Sequence, residues 1–365
     1  MKSLKTKVIK IDPHFPEFEK IAQCAKTIRH GGLVIFPTET VYGIAVDFNN
    51  EKAMARLREV KKRSDGKPFS ILIAQKGLIS NYTPVNDPVV YKLIDECWPG
   101  PLTVIVPSRQ KNEVGMDTVG IRMPQNNIAL SLVQESQCTV AAPSANFEGN
   151  PAPSTCEEAL KELDGLVDIA IDGGKAAFGQ SSSIVDFCQS PPKVTRTGAI
   201  TQEDVDRIIK KKIVLFVCTG NSCRSVMAEY LLKDMLEKRG RDPEEVQVLS
   251  AGTGVFVRSS ASAETISVLR KEGIDAMDHQ SQSISTILIK KSDLILVMTR
   301  AHRQQILERV PEVEKRVYLL REFASLPVGH EVDLDIPDPI GKPPEAYEEC
   351  LLTIKDAANK LIDLV

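Results

Sequence analysis

Apolar positions along this chain change period again and again. Phe18 to Arg29 carries them at helical spacing, Gly31-Gly32 breaks the pattern, and Leu33 to Phe36 is a short apolar run suited to a buried strand. Pro37 then opens a loop. Leu102 to Val106 and Gly120 to Met123 read as strands, Ile128 to Glu135 as a helix, and Thr139 to Ala142 as a strand stopped by Pro143. Such alternation predicts a mixed α/β sheet. Pro191-Pro192 and Thr197-Gly198 punctuate the end of this region. Thr201-Gln202-Glu203-Asp204 has the acidic first turn of a helix start, and a short helix through Ile209 runs into Lys210-Lys211-Lys212.

From Ile213 the pattern restarts. Ile213 to Val217 is wholly apolar, a tight loop follows, and Val226 to about Arg239 is helical. Further strands are expected at Val246 to Leu249, Leu294 to Met298 and Val317 to Leu320, and Tyr347 to Leu364 reads as a closing helix. A strand apolar at every position is one buried on both faces, which predicts a small parallel sheet with helices on either side. The expected architecture is therefore α/β in two domains, residues 1–209 with a twisted mixed sheet and residues 210–365 with the parallel sheet. No Pro/Gly/Ser-rich linker separates them.

Composition narrows the classes without choosing among them. Apolar and charged fractions of 42% and 26% in 365 residues are those of a globular chain with more than one core, and rule out a disordered or fibrous one. A net charge of −3 argues against a surface built to coat nucleic acid, although a local basic cluster could still hold phosphate. No stretch is long enough to span a bilayer or serve as a signal peptide, so a cytoplasmic protein with no membrane partner is expected. Eight cysteines include no Cys-x-x-Cys pair and no zinc spacing, which points to a reducing compartment and no structural metal. Cys24, Cys97, Cys138, Cys156, Cys188 and Cys350 read as scattered thiols; only Cys218 and Cys223 form a local pair.

The most specific text is Val217-Cys218-Thr219-Gly220-Asn221-Ser222-Cys223-Arg224-Ser225, set between a strand and a helix. A Cys-x5-Arg loop there is a phosphate cradle. Its backbone N–H groups turn inward, the helix N-terminus adds positive potential, and Arg224 can grip two oxygens. The same field favours the thiolate of Cys218 as nucleophile. Asp338, in Asp335-Ile336-Pro337-Asp338-Pro339, is the candidate proton donor to the leaving group. From about Lys212 to Leu364 the chain resembles the low-molecular-weight protein-tyrosine phosphatases, which include arginine-directed members. Val217 to Ser225, Ser250-Ala251-Gly252-Thr253, Asp293 to Thr299 and Asp338-Pro339 carry the likeness. It implies that Cys218 becomes a phospho-enzyme, Arg224 binds phosphate and Asp338 serves as acid and then base. Thr219, Gly220, Ser222 and Cys223 would complete the cradle, with Asn221, Ser225 and His279 bracing it and no cofactor. Ser222 stands where tyrosine-directed members carry a bulky aliphatic residue and arginine-directed ones carry threonine; Ile340 stands where an aromatic usually stacks on the phenol ring.

In the first half no P-loop occurs, since Gly66-Lys67 and Gly174-Lys175 are followed by Pro and Ala. Dispersed polar motifs appear instead: Pro37-Thr38-Glu39-Thr40-Val41-Tyr42-Gly43, Lys61-Lys62-Arg63 with Lys67-Pro68, Trp98-Pro99-Gly100-Pro101-Leu102-Thr103, Arg122-Met123-Pro124, Pro143-Ser144-Ala145-Asn146, Ser181-Ser182-Ser183 and Arg196-Thr197-Gly198. As a set, from about Val8 to Val205, they resemble the YrdC-type threonylcarbamoyl-AMP synthases. Those enzymes condense L-threonine, bicarbonate and ATP to threonylcarbamoyl-AMP and pyrophosphate, the first step toward N6-threonylcarbamoyladenosine in tRNA. Crowding a triphosphate, a carboxylate and a carbonate into one cleft calls for the cations this half supplies. The resemblance implies that Lys61, Arg63, Lys67, Thr118, Ser144, Asn146 and Arg196 hold ATP with its Mg2+, and that Thr40, Arg122, Ala142 (through backbone) and Ser182 hold threonine. It also implies tRNA or tRNA-modification proteins as partners, beside a phosphorylated protein substrate for the second half. Leu72, where some members use histidine, and Ala152, where serine is usual, depart from the pattern.

Two readings compete. The first half could be a double-stranded RNA-binding module without catalysis. The second could be a tyrosine-specific phosphatase, or an arsenate reductase, which would require resolving cysteines downstream; only Cys350 lies beyond Cys223.

Overall fold

The computed structural model describes residues 5–64, 66–112, 114–324 and 333–365. The chain divides into two compact units, 1–85 with 93–206 and 86–92 with 207–365.

Among its described residues the first unit is a ten-stranded mixed sheet. In spatial order the strands are Lys7–Lys10, Ile169–Asp172, Val34–Phe36, Gly43–Asp47, Val140–Ala141, Ile71–Leu72, Thr118–Arg122, Leu102–Pro107, Ser183–Asp186 and Lys193–Arg196. The expected Leu102 and Gly120 strands appear with slightly different ends, and the expected Thr139–Ala142 strand shrinks to two residues. One apolar layer packs Val34, Phe36, Ala45 and Val140 under the helices Phe18–Arg29 and Asn127–Ser136. A second packs Leu33, Ile35, Ile44 and Val46 under Glu51–Lys61 and Cys156–Leu163. Odd and even residues of Leu33–Phe36 thus serve opposite cores, which is why that run has no polar position. The helices are punctuated as their sequences suggest: Asn50 and Asn126 cap two of them by accepting from Ala53 N and Ala129 N.

The second unit is a four-stranded sheet, parallel throughout, in the order Val246–Gly252, Lys212–Cys218, Leu294–Val297, Val317–Leu319. Val214 and Phe216 face the helices Arg224–Lys238 and Pro344–Leu361, while Leu215 and Val217 face Thr286–Lys291 and Arg300–Arg309. This is the two-sided burial that the apolar run at Ile213 predicts. The sheet's topology sends the carboxyl end of its central strand, at Cys218, into the loop that leads to the helix Arg224–Lys238. No helix among the described residues is long and apolar enough to cross a membrane.

Candidate active sites

In the second unit the loop after Cys218 is held from outside by its carbonyls. Thr253 N donates to Cys218 O at 2.9 Å, Gly254 N to Thr219 O at 2.9 Å and Ser262 N to Ser222 O at 3.0 Å. His279 Nε2 donates to Asn221 O at 2.9 Å. The carbonyls of Cys218, Thr219, Asn221 and Ser222 are thus all engaged by neighbours outside the loop, and Asn221 N points at Cys218 Sγ, 3.3 Å away. Asn221 adopts a left-handed φ of 51°, a conformation asparagine tolerates better than most residues. Its side chain donates to Ser225 Oγ at 3.0 Å and Ser250 Oγ at 2.7 Å and accepts from Gln282 N at 2.9 Å. Ser225 Oγ in turn lies 3.0 Å from Cys218 Sγ, and Ser250 Oγ donates to buried Glu229. Gly252 permits this closeness, because a Cβ there would stand 2.4 Å from Thr219 O.

Arg224 is buried at the helix start. Its Nη1 donates to Ile336 O at 3.0 Å and its Nη2 to Asp338 Oδ2, while Nε is buried without a partner. A buried guanidinium N–H left unpaired is costly, and an arriving phosphate oxygen would satisfy it. Thr219 and Gly220 are exposed and Ser222 half-buried, with Ser222 Oγ 3.7 Å from Cys223 Sγ. Ile340 is 61% exposed.

Two features escape sequence reasoning. His302 is buried, its Nε2 2.9 Å from Thr219 Oγ1 and its Nδ1 2.9 Å from Thr299 Oγ1. Burial, helped by the Arg224 guanidinium, pulls its pKa from 6.5 down to about 4. The imidazole stays neutral in the fold but protonates in the unfolded chain below 6.5, so its contribution to stability is present above pH 6.5 and is lost as pH falls toward 4. Hydrogen-exchange protection of the 212–218 strand should drop across that window, and His302→Gln should flatten the drop. The second is Cys350. A scattered thiol in the sequence, it packs in one core with Cys218 and Cys223. Burial nevertheless pushes its thiol up to about 12, against a weaker opposing pull from Arg224, so it is a poor resolving nucleophile.

In the first unit, a cleft of about 480 Å³ is lined by Arg63, Lys67, Thr118, Arg122, Ala142, Ser144, Ser182 and Arg196 of the expected site, with Thr103 and Leu72 beside them. Arg196 donates through Nε to Ser182 O at 2.9 Å and through Nη2 to Ser182 Oγ at 3.0 Å, and that hydroxyl lies 2.9 Å from Thr103 Oγ1. Burial, then the guanidiniums of Arg122 and Arg63, lowers the pKa of Arg196. Three like charges drawn together in this way favour a polyanion. Lys67 meets Glu148 at 2.6 Å; that contact and the Ser64 N–H hold Glu148 down at about 2.

Three expected contacts lie behind the cleft wall rather than on it. Lys61 is 2% exposed, its ammonium 2.6 Å from both Ser144 O and Asn146 O, and burial pulls it down to about 8. It fixes the turn that presents Ser144, since an ammonium with several carbonyl acceptors is already satisfied. Asn146 spends its amide on Phe147 O and Asn150 O. Thr40 is 1% exposed and accepts from Arg122 Nη2 at 2.8 Å. The same Nη2 donates to Glu39 Oε1 at 2.8 Å, and Glu39 Oε2 is buried with no partner. In the sequence Glu39 stands inside the Pro37 to Gly43 motif with no role of its own, and Glu148 lies outside the motifs; their cation partners, Arg122 and Lys67, are more than 80 residues away along the chain and meet them only in the fold.

A family model described as telomere recombination matches residues 26–198, and one described as low molecular weight phosphotyrosine protein phosphatase matches residues 213–365. The threonylcarbamoyl-AMP synthase of Pyrococcus abyssi is 37% identical over 200 residues, 52% of this chain and 57% of that protein. The putative threonylcarbamoyl-AMP synthase of Methanocaldococcus jannaschii is 37% identical over 208 residues, 56% of this chain and 99% of that protein. A protein-arginine-phosphatase of Geobacillus stearothermophilus is 37% identical over 150 residues, 41% of this chain and 90% of the relative. The structure of P. abyssi Sua5 complexed with L-threonine aligns with a TM-score of 0.53 at 24% identity, over 86% of this chain and 99% of the other, a likeness of fold. The chain spans little more than half the length of the longer synthases it matches. Because it covers nearly all of the Methanocaldococcus synthase and of the Geobacillus phosphatase, the chain belongs to two families at once, the Sua5/YciO/YrdC family in its first half and the low-molecular-weight phosphotyrosine protein phosphatases in its second.

Proposed function

We propose that residues 1–209 form a domain that condenses L-threonine, bicarbonate and ATP into threonylcarbamoyl-AMP with release of pyrophosphate. Residues 210–365 form a second domain that hydrolyses protein phosphoarginine or phosphotyrosine. The observation that carries the first assignment is the convergence of Arg63, Arg122 and Arg196 on one cleft. There the amine of threonine attacks bicarbonate carbon, a C–O bond breaks and water leaves to give the carbamate, and a carbamate oxygen then attacks the α-phosphorus of ATP as the bond from that phosphorus to the bridging α–β oxygen breaks and pyrophosphate leaves. Arg122 and Ser182 hold the amino acid; Arg63, Lys67, Ser144 and Arg196 face the phosphates, with Lys61 and Asn146 shaping the turn. Among the described residues no group of three or more His, Cys, Asp or Glu could cage a metal. Magnesium would arrive with the triphosphate, held mainly by phosphate and water. Incubation with ATP, L-threonine and labelled bicarbonate should give a labelled adenylate. A folded protein that binds double-stranded RNA but forms no such product would favour the RNA-binding reading.

In the second domain the carrying observation is the cradle itself: tethered carbonyls, Cys218 at the centre, and Arg224 with an unpaired Nε beside Asp338. Phosphate taking the Arg224 edge frees Asp338 from its ion pair, and the released carboxylate takes up a proton from solvent. Cys218 Sγ then attacks phosphorus, the P–N or P–O bond to the substrate breaks, and Asp338 gives its proton to the leaving group. In the second step water attacks the phosphorus of the cysteinyl phosphate and gives a proton to Asp338, the S–P bond breaks, and inorganic phosphate leaves with the Cys218 thiolate restored.

Between the two leaving groups, the polar Ser222 hydroxyl and the exposed, non-aromatic Ile340 favour phosphoarginine. A phenol ring would gain from an aliphatic wall at 222 that this chain lacks. Ser222→Ile should shift the ratio of kcat/KM toward phosphotyrosine peptides by about tenfold, the worth of one buried aliphatic contact. A wild type that prefers phosphotyrosine, or a ratio unmoved by the substitution, removes position 222 as the selector.

A further inference from the structure

The strands under the first-unit cleft give it a direction. Leu102–Pro107 pairs with Thr118–Arg122 on one side and Ser183–Asp186 on the other, placing Thr103 opposite both Arg122 and Ile184, and Ile105 opposite both Gly120 and Asp186. Side chains directly opposite share a face, and all six of these residues line the cleft. The intervening Val104, Ile121 and Val185 are fully buried on the other face. The floor is therefore two successive rows, with Gly120, Ile105 and Asp186 about 7 Å along the strands from Arg122, Thr103 and Ile184. Thr118 continues in the same direction.

Charge follows the rows. Arg122, and Arg196 through its bonds to Ser182, mark the first. Asp186 is the only acidic residue among the described residues that line the cleft, and it comes with Ile105 and the neighbouring Met116. A carboxylate in a site for phosphate, carbonate and an amino-acid carboxylate repels all three, so its use there is to accept from a neutral donor. Asp186 Oδ1 takes the Cys188 N–H at 2.9 Å and Oδ2 the Gln189 Nε2–H at 2.7 Å. Each oxygen keeps a second lone pair.

We infer that Asp186 is the nucleoside-reading residue of the cleft, accepting from the hydrogen-bond donors of adenosine while Ile105 and Met116 lie against its apolar surface. This rests on the adenylate-forming reading above. A threonylcarbamoyl-AMP laid along the strands puts its amino acid at the Arg122 row, its α-phosphate next, and its nucleoside at the Asp186 row. The donors available are the ribose hydroxyls and the 6-amino group of adenine.

Steady-state pyrophosphate release by the full chain, with ATP, 2′-deoxyATP, 3′-deoxyATP and ITP, separates these possibilities. Threonine-dependent release by the wild type is the control; without it the activity itself is wrong, whatever Asp186 does. Asp186→Asn should raise the KM for ATP about tenfold, the worth of one hydrogen bond to a charged group, with the KM for L-threonine unchanged. It should also erase the preference for ATP over a deoxy analogue if the ribose is read, or over ITP if the amino group is. Gln189→Ala, which removes the turn contact and keeps the carboxylate, should retain both the KM and the preferences. An unchanged KM for ATP in Asp186→Asn, or an equal loss with all four nucleotides in both variants, means that Asp186 only caps its turn and overturns the inference.

Discussion

Cys218→Ser should reduce phosphatase turnover by at least about 10⁴-fold and leave adenylate formation untouched, because a serine hydroxyl is not ionised by a phosphate-binding loop. The loop's shape should survive. Its carbonyls are tied to Thr253, Gly254, Ser262 and His279, none of which needs the sulfur, and the Asn221 N–H and Ser225 hydroxyl can meet an oxygen as well as a thiol. Phosphate release from phosphoarginine and phosphotyrosine peptides, measured beside pyrophosphate release on the same preparation, checks this. Loss of both activities from a folded variant would mean that one site serves both reactions.

Arg122→Ala should be the most damaging change in the first unit. Arg122 sits on a cleft-lining strand with Nε on Gly100 O and Nη2 shared between Glu39 and Thr40. Its remaining nitrogen is the one available to a substrate carboxylate. Removing it takes away that donor and strands the Glu39 carboxylate, buried, with neither oxygen paired. Breaking a buried ion pair by deleting one partner costs about 3–5 kcal/mol. L-Threonine affinity should therefore fall by at least about a hundredfold, and the unit should unfold at lower denaturant, read by the fluorescence of Trp98, the chain's single tryptophan. Calorimetric titration that finds L-threonine bound as tightly by Arg122→Ala as by the wild type excludes Arg122 as the carboxylate site.

Much of the second unit is legible because its sequence is locally consistent. An apolar strand with no polar interruption, Cys-x5-Arg and a helix start point to both the two-faced sheet and the place of the Cys218 loop, and the distal Asp-Pro points to Asp338, whose ion pair with Arg224 is visible only in the fold. His302 and Cys350 were hidden because what matters about them is nonlocal: each is brought to the loop by an element that looks ordinary on its own. In the first unit the motifs identify the cleft but not its wall. Lys61 and Thr40 carry the right chemistry yet point away from solvent, since helix Glu51–Lys61 ends under the Ser144 turn and Thr40 lies beneath Arg122. Strands of two to four residues, Ile71–Leu72 and Ser183–Asp186, are too short for a periodicity to emerge, so the register that places Asp186 is visible only in the folded sheet.

Whether one chain carries two chemically separate sites is decided by assaying both reactions together. Pyrophosphate release should require L-threonine and bicarbonate and be unaffected by saturating phosphoarginine peptide, while phosphate release from that peptide should be unaffected by ATP with L-threonine. Pyrophosphate release that persists without threonine or bicarbonate, or competitive inhibition of either reaction by the other's substrate, contradicts the account.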